Sequence, residues 1–344
     1  NNIHRYFYDT LGRLIRDEDP AGGVKTLTRT DITDFHYSVA VKTALGQVDT
    51  YEVDDLPTGD MRRVQTKPDG TRTETLYGAD GSRKTTFADG TVVNLLKGPD
   101  PRWSMQAPVS KGLSTTKGGL TSTVSTDRQT ELADASNPLS LIKETDTITV
   151  NGRIFKSVFD KVAKTTTSTT PVGRIRTTVT DSLGRITQVQ VPRVLPSNRV
   201  YDAKGHLSLI RQGIGLDERL YNFDYNPQGY LASITDPLGR AFGIEYDTVG
   251  RITRQTLTDG RTILFDYDAA GNLISLSPPG RPAHVFNYTP VNLTQDYQPP
   301  AVITSNNTVY DYDLNKHLTK VTRPDAKTLN YTYDSAGRRS ILDT

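Results

Sequence analysis

The sequence contains no cysteine, only two methionines and a single tryptophan, Trp103. Without cysteine the chain cannot form disulfide bonds, a thiolate metal site or a cysteine nucleophile. It also lacks any apolar run near the roughly 18–20 residues that a membrane-spanning helix requires. An excess of one charge is missing too, because 41 Lys and Arg residues are balanced by 39 Asp and Glu residues. This balance argues against a basic surface for nucleic acid.

Motifs of catalysis and of cofactor binding are also absent. The sequence has no HExxH, no GxSxG, no phosphate-binding loop and no dinucleotide-binding fingerprint in context. The carboxylates of Asp266 and Asp268 would share a sheet face, and so would those of Asp311 and Asp313. Such a pair could bind calcium, but a calcium site needs about six to eight oxygens and the sequence has no Asp-rich loop to supply them. We therefore predict no catalytic residue, no metal and no cofactor.

The sequence instead contains an internal repeat. Tyr225, Tyr246 and Tyr267 are 21 residues apart, and each is followed four residues later by a glycine. Together with the glycines at 239 and 260, glycine recurs every 10 or 11 residues in this stretch. A fixed period of this size is typical of repeat proteins.

The segments between the glycines predict β-strands. In residues 241–246, Phe242, Ile244 and Tyr246 alternate with small or polar residues, and residues 262–267 repeat the pattern. Alternation with a period of two indicates a strand with one apolar and one polar face. The Asp and Gly residues between the segments are typical of tight turns. We therefore predict an all-β fold of stacked antiparallel β-hairpins, each of about 21 residues, in a curved open sheet.

The repeat divides the chain into three predicted segments. Residues 1–96 form an N-terminal hairpin region with three Asp-Gly turns. Residues 97–118 contain three prolines and the only tryptophan, so we predict a long irregular loop there. Residues 119–344 form the second hairpin region, in which Asn151-Gly152 predicts a type I′ turn. Within it, the proline-containing stretch 293–308 predicts another irregular loop.

One motif recurs in phase with the repeat, namely Tyr-Asp-x-x-Gly-Arg followed by Leu or Ile. It is complete at residues 8–14 and 246–252, and variants lie at 201–207, 267–273 and 333–339. Its residues are Tyr8, Asp9, Gly12, Arg13, Tyr201, Asp202, Gly205, Tyr246, Asp247, Gly250, Arg251, Tyr267, Asp268, Gly271, Tyr333, Asp334, Gly337 and Arg338. The motif resembles the YD repeat of Rhs proteins, insecticidal toxin-complex C components, bacterial wall-associated toxins and teneurins. We interpret the chain as a fragment of such a repeat region.

The resemblance implies a β-sheet that spirals into a hollow shell, of which this chain would form a part. In bacterial members the shell commonly encloses a C-terminal toxin, and in animal members it carries cell-surface adhesion. The resemblance thus implies a non-enzymatic shell segment of a larger exported or cell-surface bacterial protein, which scaffolds or encloses a toxin cargo domain. Its partners would be the remainder of the same polypeptide or that cargo.

Two other functions stay open at this point. The repeat could present a carbohydrate- or receptor-binding adhesion surface, with Trp103 and the two irregular loops as candidate ligand-stacking elements. A hydrolase that uses paired aspartates would need two carboxylates within about 10 Å of each other in a cleft. The free ends of an open sheet would also favour self-association.

The motif residues are predicted to serve the fold. The aspartate would accept hydrogen bonds from backbone N–H groups of its own turn. The arginine would pair with carboxylates of neighbouring repeats along the sheet. The tyrosines would stack ring over ring in a row, with their hydroxyl groups near one edge.

Overall fold

The computed structural model describes residues 2–300 and 307–343. These residues form thirty β-strands and a single 3-10 turn at Gly215–Asp217, with no α-helix in the described ranges. The strands are β1 (Arg5–Tyr8), β2 (Leu14–Glu18), β3 (Val24–Thr33), β4 (His36–Thr43), β5 (Val48–Asp55), β6 (Met61–Thr66), β7 (Arg72–Tyr77), β8 (Arg83–Thr86), β9 (Val92–Asp100), β10 (Ser104–Lys117), β11 (Leu120–Leu132), β12 (Leu141–Val150), β13 (Arg153–Asp160), β14 (Thr165–Thr169), β15 (Ile175–Thr180), β16 (Ile186–Gln190), β17 (Ser197–Tyr201), β18 (Leu207–Gln212), β19 (Arg219–Tyr225), β20 (Leu231–Thr235), β21 (Ala241–Tyr246), β22 (Ile252–Thr256), β23 (Thr262–Tyr267), β24 (Leu273–Ser277), β25 (His284–Tyr288), β26 (Thr294–Gln298), β27 (Thr308–Tyr312), β28 (Leu318–Thr322), β29 (Thr328–Tyr333) and β30 (Arg339–Asp343). All thirty belong to one antiparallel sheet, which confirms the predicted all-β class.

The chain divides into two compact units, and in both of them strands pair with their neighbours in chain order. Unit one comprises residues 1–55, 63–73 and 242–344, and unit two comprises residues 56–62 and 74–241. In unit one, β1 to β5 pair antiparallel in sequence order, as do β21 to β30. In unit two, β8 to β20 follow the same rule. Within the described residues β1 pairs only with β2, and β30 only with β29, so the sheet is open, as predicted.

The repeating hairpin combines a tight turn with a β-bulge. At the turn between β21 and β22, the N–H of Gly250 donates to the carbonyl of Asp247 at 3.1 Å, and the N–H of Asp247 donates to the carbonyl of Arg251 at 2.9 Å. Gly250 has a φ of 87°, the left-handed conformation that follows a type I turn in three-residue hairpin loops. The register shifts between Glu245 and Tyr246, just before the turn. The same shift precedes the anchor tyrosines of β17, β19, β23, β25, β27 and β29.

In unit one the repeats place aromatic and aliphatic side chains on one face of the sheet. On β23, Ile263, Phe265 and Tyr267 lie on this face and are partly buried, whereas Leu264 and Asp266 lie on the opposite face and are exposed. The pairing register of the following strands places further side chains on the same face as these three residues of β23. They are Leu276, His284, Phe286, Tyr288, Tyr297, Tyr310, Tyr312, Val321, Leu329, Tyr331 and Tyr333. We call this surface of strands β23 to β29 the aromatic face.

The sheet has almost no fully buried core. Among the described residues only Val64 and Val321 are buried apolar side chains, with 2% and 8% exposure. A sheet ordinarily buries its apolar face against a second layer of structure. On the aromatic face, all residues except Val321 remain only partly buried. In-plane contacts therefore carry much of the stability of this sheet.

The stretch 97–118, predicted to be an irregular loop, is instead largely β-strand. β9 continues to Asp100, and β10 begins at Ser104. The register between these two strands shifts between Ser104 and Val109, and Pro108 lies in that gap. Proline has no N–H to donate, so a gap in the ladder tolerates it without ending the strand.

Two further predicted boundaries differ from those of the structure. The compact units do not coincide with the predicted segments 1–96 and 119–344. The predicted loop at 293–308 contains the whole of β26 and its end overlaps the first residue of β27, while its residues 301–306 lie outside the described residues. Short regular strands can thus run through proline-containing sequence that reads as irregular.

Candidate functional site

The motif residues of each repeat form a set of contacts that we call the repeat clasp. In one copy, Oδ1 of Asp247 accepts hydrogen bonds from two backbone N–H groups of its own turn, at 2.9 and 3.0 Å. Oδ2 of the same carboxylate accepts a hydrogen bond from Nε of Arg251 at 2.6 Å. The guanidinium lies over the ring of Tyr267, 4.8 Å from its centroid, and donates to the carbonyl of Asp268 at 3.0 Å. The clasp therefore links one repeat to the next.

The arginine pairs within its own turn, so the predicted pairing with carboxylates of neighbouring repeats is wrong as a general rule. The Nε to Oδ2 distance is 2.7–2.8 Å in four further copies, Asp9–Arg13, Asp181–Arg185, Asp236–Arg240 and Asp334–Arg338. The physical reason is local, because the turn brings the residue after the glycine back beside the aspartate. Arg338 also forms an ion pair outside its turn, with Asp69 at 2.7 Å.

The rings of four anchor tyrosines lie against the side chain at the arginine position of the preceding motif, not ring over ring in a row, which corrects the second prediction about the motif: Tyr201, Tyr225, Tyr267 and Tyr333. A cation lies against the ring instead, as with Arg185 over Tyr201 at 4.5 Å. The hydroxyl group donates to the backbone carbonyl of the residue that follows the motif arginine position. These bonds measure 2.8–3.0 Å for Tyr201–Ile186, Tyr225–Leu207, Tyr288–Leu273, Tyr312–Thr294 and Tyr333–Leu318. Tyr201, Tyr225 and Tyr333 are thus held at both the ring and the hydroxyl group.

Histidine replaces arginine in two copies of the clasp and keeps its contacts. Nδ1 of His206 lies 3.1 Å from Oδ2 of Asp202, and its ring lies 4.5 Å from the ring of Tyr225. His317 makes the corresponding contacts with Asp313 at 3.0 Å and with Tyr333 at 4.6 Å. An imidazole can therefore take the place of the guanidinium at this position.

The five motif glycines all adopt positive φ angles. The values lie between 75° and 90° for Gly12, Gly205, Gly250, Gly271 and Gly337. Tyr8, at the end of β1, is 59% exposed, whereas Tyr246, Tyr267 and Tyr333 are partly buried. The assignment of the motif residues to folding rather than to ligand binding stays a prediction.

The clasp predicts a loss of stability in acid. Hydrogen bonds from the backbone N–H of Arg251 and from its guanidinium lower the pKa of Asp247 against the opposing effect of desolvation, and the pKa values of Asp9 and Asp334 are lowered in the same way. A carboxyl group whose pKa is lower in the folded state stabilises the fold above its unfolded pKa, about 4, and loses that contribution as the pH falls through the folded pKa. We therefore expect the Tm to be level from about pH 7 to pH 4.5 and to fall below about pH 4.

A single variant isolates this effect in a Tm-versus-pH series. Asp247→Asn keeps the turn acceptor, since Oδ1 of Asn226 accepts the backbone N–H of Tyr230 at 2.9 Å in an equivalent turn. It removes the titrating group, so its Tm should be lower than that of the parent chain at pH 7 and should fall less between pH 4 and pH 2. A parent chain with an unchanged Tm down to pH 2 would contradict the expectation.

In unit one, turns far apart in the sequence pack against each other in what we call the turn seam. It joins the turns at residues 19–23, 43–47 and 67–71 to those at residues 313–317 and 334–338. Nδ2 of Asn315 donates to Oγ1 of Thr43 and to Oε1 of Gln47, at 2.9 and 2.8 Å, across at least 268 residues of sequence. An ion pair of 3.1 Å between Lys316 and Asp19 lies beside them. Nothing in the sequence indicates the seam, because the turns that it joins share no common motif.

Unit two contains a cluster of charged residues that sequence reasoning also missed. Asp100 is 4% exposed, and its carboxylate accepts hydrogen bonds from the N–H groups of Arg102 and Trp103 and from Nη1 of Arg128. Arg128 bonds to both oxygens of Asp146, at 2.7 and 2.9 Å, and Arg102 bonds to Glu144 at 3.0 Å. Burial raises the pKa of Asp100, but its hydrogen bonds and the two guanidinium groups outweigh burial and hold the pKa below its usual range.

Trp103 lies in the short connection between β9 and β10, directly beside this cluster. Its backbone is fixed on both sides, since its N–H donates to Asp100 and its carbonyl accepts the N–H of Gln106 at 3.1 Å. The side chain is partly buried. Its role in ligand stacking stays a prediction.

The side chains of the clasp contact the backbone and one another, which suits the folding of a repeat rather than a reaction. Within the described ranges, no group of three or more His, Asp or Glu residues is arranged to hold a metal ion. The described residues contain no helical segment with the length and hydrophobicity of a membrane span.

Comparisons with known proteins agree with this geometry. A family model described as the teneurin YD-shell matches residues 1–342. A solved structure of TcdB2–TccC3 superposes with a TM-score of 0.52 at 13% identity, over 98% of this chain and 23% of that chain. The structure of TcdB2–TccC3 without its hypervariable C-terminal region superposes with a TM-score of 0.52 at 12% identity, over 98% of this chain and 22% of that chain. The structure of a mutant Photorhabdus luminescens Tc holotoxin pore superposes with a TM-score of 0.52 at 13% identity, over 98% of this chain and 22% of that chain.

These structural matches show a shared fold alone, since their identities are low, and this chain spans less than a quarter of each matched chain. No curated protein matches the sequence. The family match extends over nearly the whole chain and confirms the resemblance that the recurrent motif indicated. The chain belongs to the teneurin YD-shell family.

Proposed function

We propose that this chain is a wall segment of a larger β-shell that encloses a polypeptide cargo, a toxin domain within an exported or surface-displayed bacterial protein. The aromatic face is the observation that carries the proposal. It presents rows of half-buried rings and aliphatic side chains, and no second layer within the described residues packs on it. A surface of this kind favours contact with the apolar groups of a non-native chain.

The clasp supports a role as a wall. In four repeats it binds one hairpin to the next through side chains of neighbouring strands and turns, without a second layer of structure. The free edges of β1 and β30 would pair with further repeats of the same shell or with another copy. The matched TcdB2–TccC3 structures supply the analogy of a much larger assembly with the same fold.

The test measures whether the aromatic face binds unfolded polypeptide. We expect fluorescence anisotropy to show saturable binding of a labelled, reduced and carboxymethylated protein to the chain. Phe265→Ser should weaken that binding several-fold, whereas Leu264→Ser on the opposite face of the same strand should not. Thermal unfolding of both variants controls for loss of fold.

Two outcomes would count against the proposal. One is equal binding by the two variants, which would separate binding from the aromatic face. The other is saturable binding to a glycan array without binding to unfolded polypeptide, which would favour the adhesion alternative.

A further inference from the structure

The clasp normally places a nitrogen-bearing group against the ring of the next anchor tyrosine. Arg185 lies against Tyr201 and Arg251 against Tyr267, with guanidinium to centroid distances of 4.5 and 4.8 Å. In the two histidine copies an imidazole takes the same place. The ring of each of these tyrosines is therefore covered by a group that is cationic or can become so.

At Tyr312, as at Tyr288, the residue at the arginine position of the preceding turn carries no cationic group. The preceding turn has Leu293 at the arginine position and Thr289 at the aspartate position. Yet the hydroxyl group of Tyr312 donates to the carbonyl of Thr294 at 2.9 Å, the same bond that holds Tyr201, Tyr225, Tyr288 and Tyr333. The ring of Tyr312 is thus fixed where a clasp would hold it, while the guanidinium that belongs against it is missing.

A cavity of about 400 Å³ adjoins this tyrosine in unit one. Its volume falls in the range of small-ligand sites. Val291 and Leu314 contribute apolar walls, and Asp19 and Lys316 contribute charge. Asp311 and Asp313 also line the cavity, so three carboxylates are present against one ammonium group. The cavity is therefore acidic, partly apolar and bounded by an aromatic ring.

We propose that this cavity binds a guanidinium group on an alkyl stem, as in an arginine side chain. The guanidinium would lie against Tyr312, where the clasp arginine is missing, and pair with Asp19. The alkyl stem would contact Val291 and Leu314. Lys316, which now pairs with Asp19 at 3.1 Å, has a side chain that is 45% exposed and can turn outward, whereas the side chain of Asp19 is 11% exposed.

The chemistry of the lining favours this ligand over others. An anion would meet three carboxylates, and a neutral sugar would gain no cation–π attraction from the ring. A planar guanidinium can both lie on a ring and bond to a carboxylate through two N–H groups, which an ammonium group cannot do equally well. Enclosure of a cargo does not require this site, so a negative binding result here would leave the proposed function unaffected.

The binding experiment uses isothermal titration calorimetry with N-acetyl-arginine amide and, as its neutral isostere, N-acetyl-citrulline amide. We expect the arginine derivative to bind and the citrulline derivative to bind at least about tenfold more weakly. Equal binding of the two compounds, or no binding of either, would overturn the proposal. An unstructured peptide with one arginine distinguishes the sources of the ligand, since tighter binding than the amide indicates a polypeptide and equal binding indicates a small molecule.

Variants place the binding at this cavity. Leu293→Arg would supply the missing guanidinium from the chain itself and abolish binding, with an unchanged or raised Tm. Asn272→Arg is the matched control, because it introduces the same residue at the same motif position one repeat earlier and should leave binding unchanged. Asp19→Asn removes the charge and should weaken binding at least fivefold, while its Oδ1 keeps the turn bonds to Ala21 and Gly23. Undiminished binding by Leu293→Arg would overturn the assignment.

Discussion

Replacing Gly250 with valine is expected to lower the free energy of unfolding by about 2–3 kcal/mol. Gly250 has a φ of 87°, a conformation in which a Cβ atom is crowded and a β-branched side chain is strained most. Its N–H also closes the turn by donating to Asp247. A strained turn would therefore loosen the clasp as well, since Asp247 and Arg251 flank the glycine. Urea-induced unfolding followed by circular dichroism measures the change.

Two control variants separate the strain of a positive φ at position 250 from other effects of a larger side chain. Thr248→Val adds the same side chain two residues earlier, where φ is not positive, and should cost less than about 1 kcal/mol. Gly250→Asn should cost less than valine, because Asn292 occupies the equivalent position of another turn with a φ of 60°. If Gly250→Val proved as mild as Thr248→Val, the turn described here would not form in solution.

The sequence predicted those features whose causes are local. Asp247 and Gly250 lie in one loop, so residue type and spacing suffice to predict the hydrogen bonds of the turn. The same holds for Asn151-Gly152, whose φ angles of 48° and 79° are both positive, as the predicted type I′ turn requires. Alternation along β23 likewise predicted which of its side chains share a face.

Features that depend on register between strands could not be predicted. The sequence does not indicate that Pro108 lies in a gap of the β9–β10 ladder, so three nearby prolines read as a loop. Leu293 is an ordinary apolar residue in the sequence, and only the geometry of Tyr312 reveals the cavity beside it. The direction of the motif arginine was also ambiguous, because a carboxylate of its own turn and one of a neighbouring repeat are both within reach of its side chain.

The charged cluster of unit two shows the same limit over a longer range. Arg128 bonds to Asp100 across 28 residues and to Asp146 across 18, and Arg102 bonds to Glu144 across 42. Each contact requires the exact pairing of β9 to β12, which no single segment specifies. In the sequence these residues are ordinary charged positions of polar strands.

Replacing Arg128 with alanine is accordingly expected to cost about 3 kcal/mol of unfolding free energy. The change would leave Asp100, Glu144 and Asp146 close together with only Arg102 to compensate them. Asp100 cannot be rehydrated easily, since it is 4% exposed. The expected cost lies at the lower end of the range for breaking a buried ion pair, because the side chain of Arg128 is itself 27% exposed. Chemical denaturation at pH 7 provides the measurement.

An exposed ion pair of the same unit supplies the control. Lys117 and Asp89 are 2.7 Å apart, but their side chains are 68% and 52% exposed, so Lys117→Ala should cost less than about 0.5 kcal/mol. The cost of Arg128→Lys should lie between those of Arg128→Ala and Lys117→Ala, because an ammonium group restores the charge but cannot bond to Asp146 through two nitrogens. Equal, small costs for Arg128→Ala and Lys117→Ala would mean that water reaches Asp100. If Arg128→Ala lowers the free energy of unfolding strongly and Arg128→Lys lowers it only slightly, charge compensation rather than bonding through two nitrogens holds the β9–β12 region together.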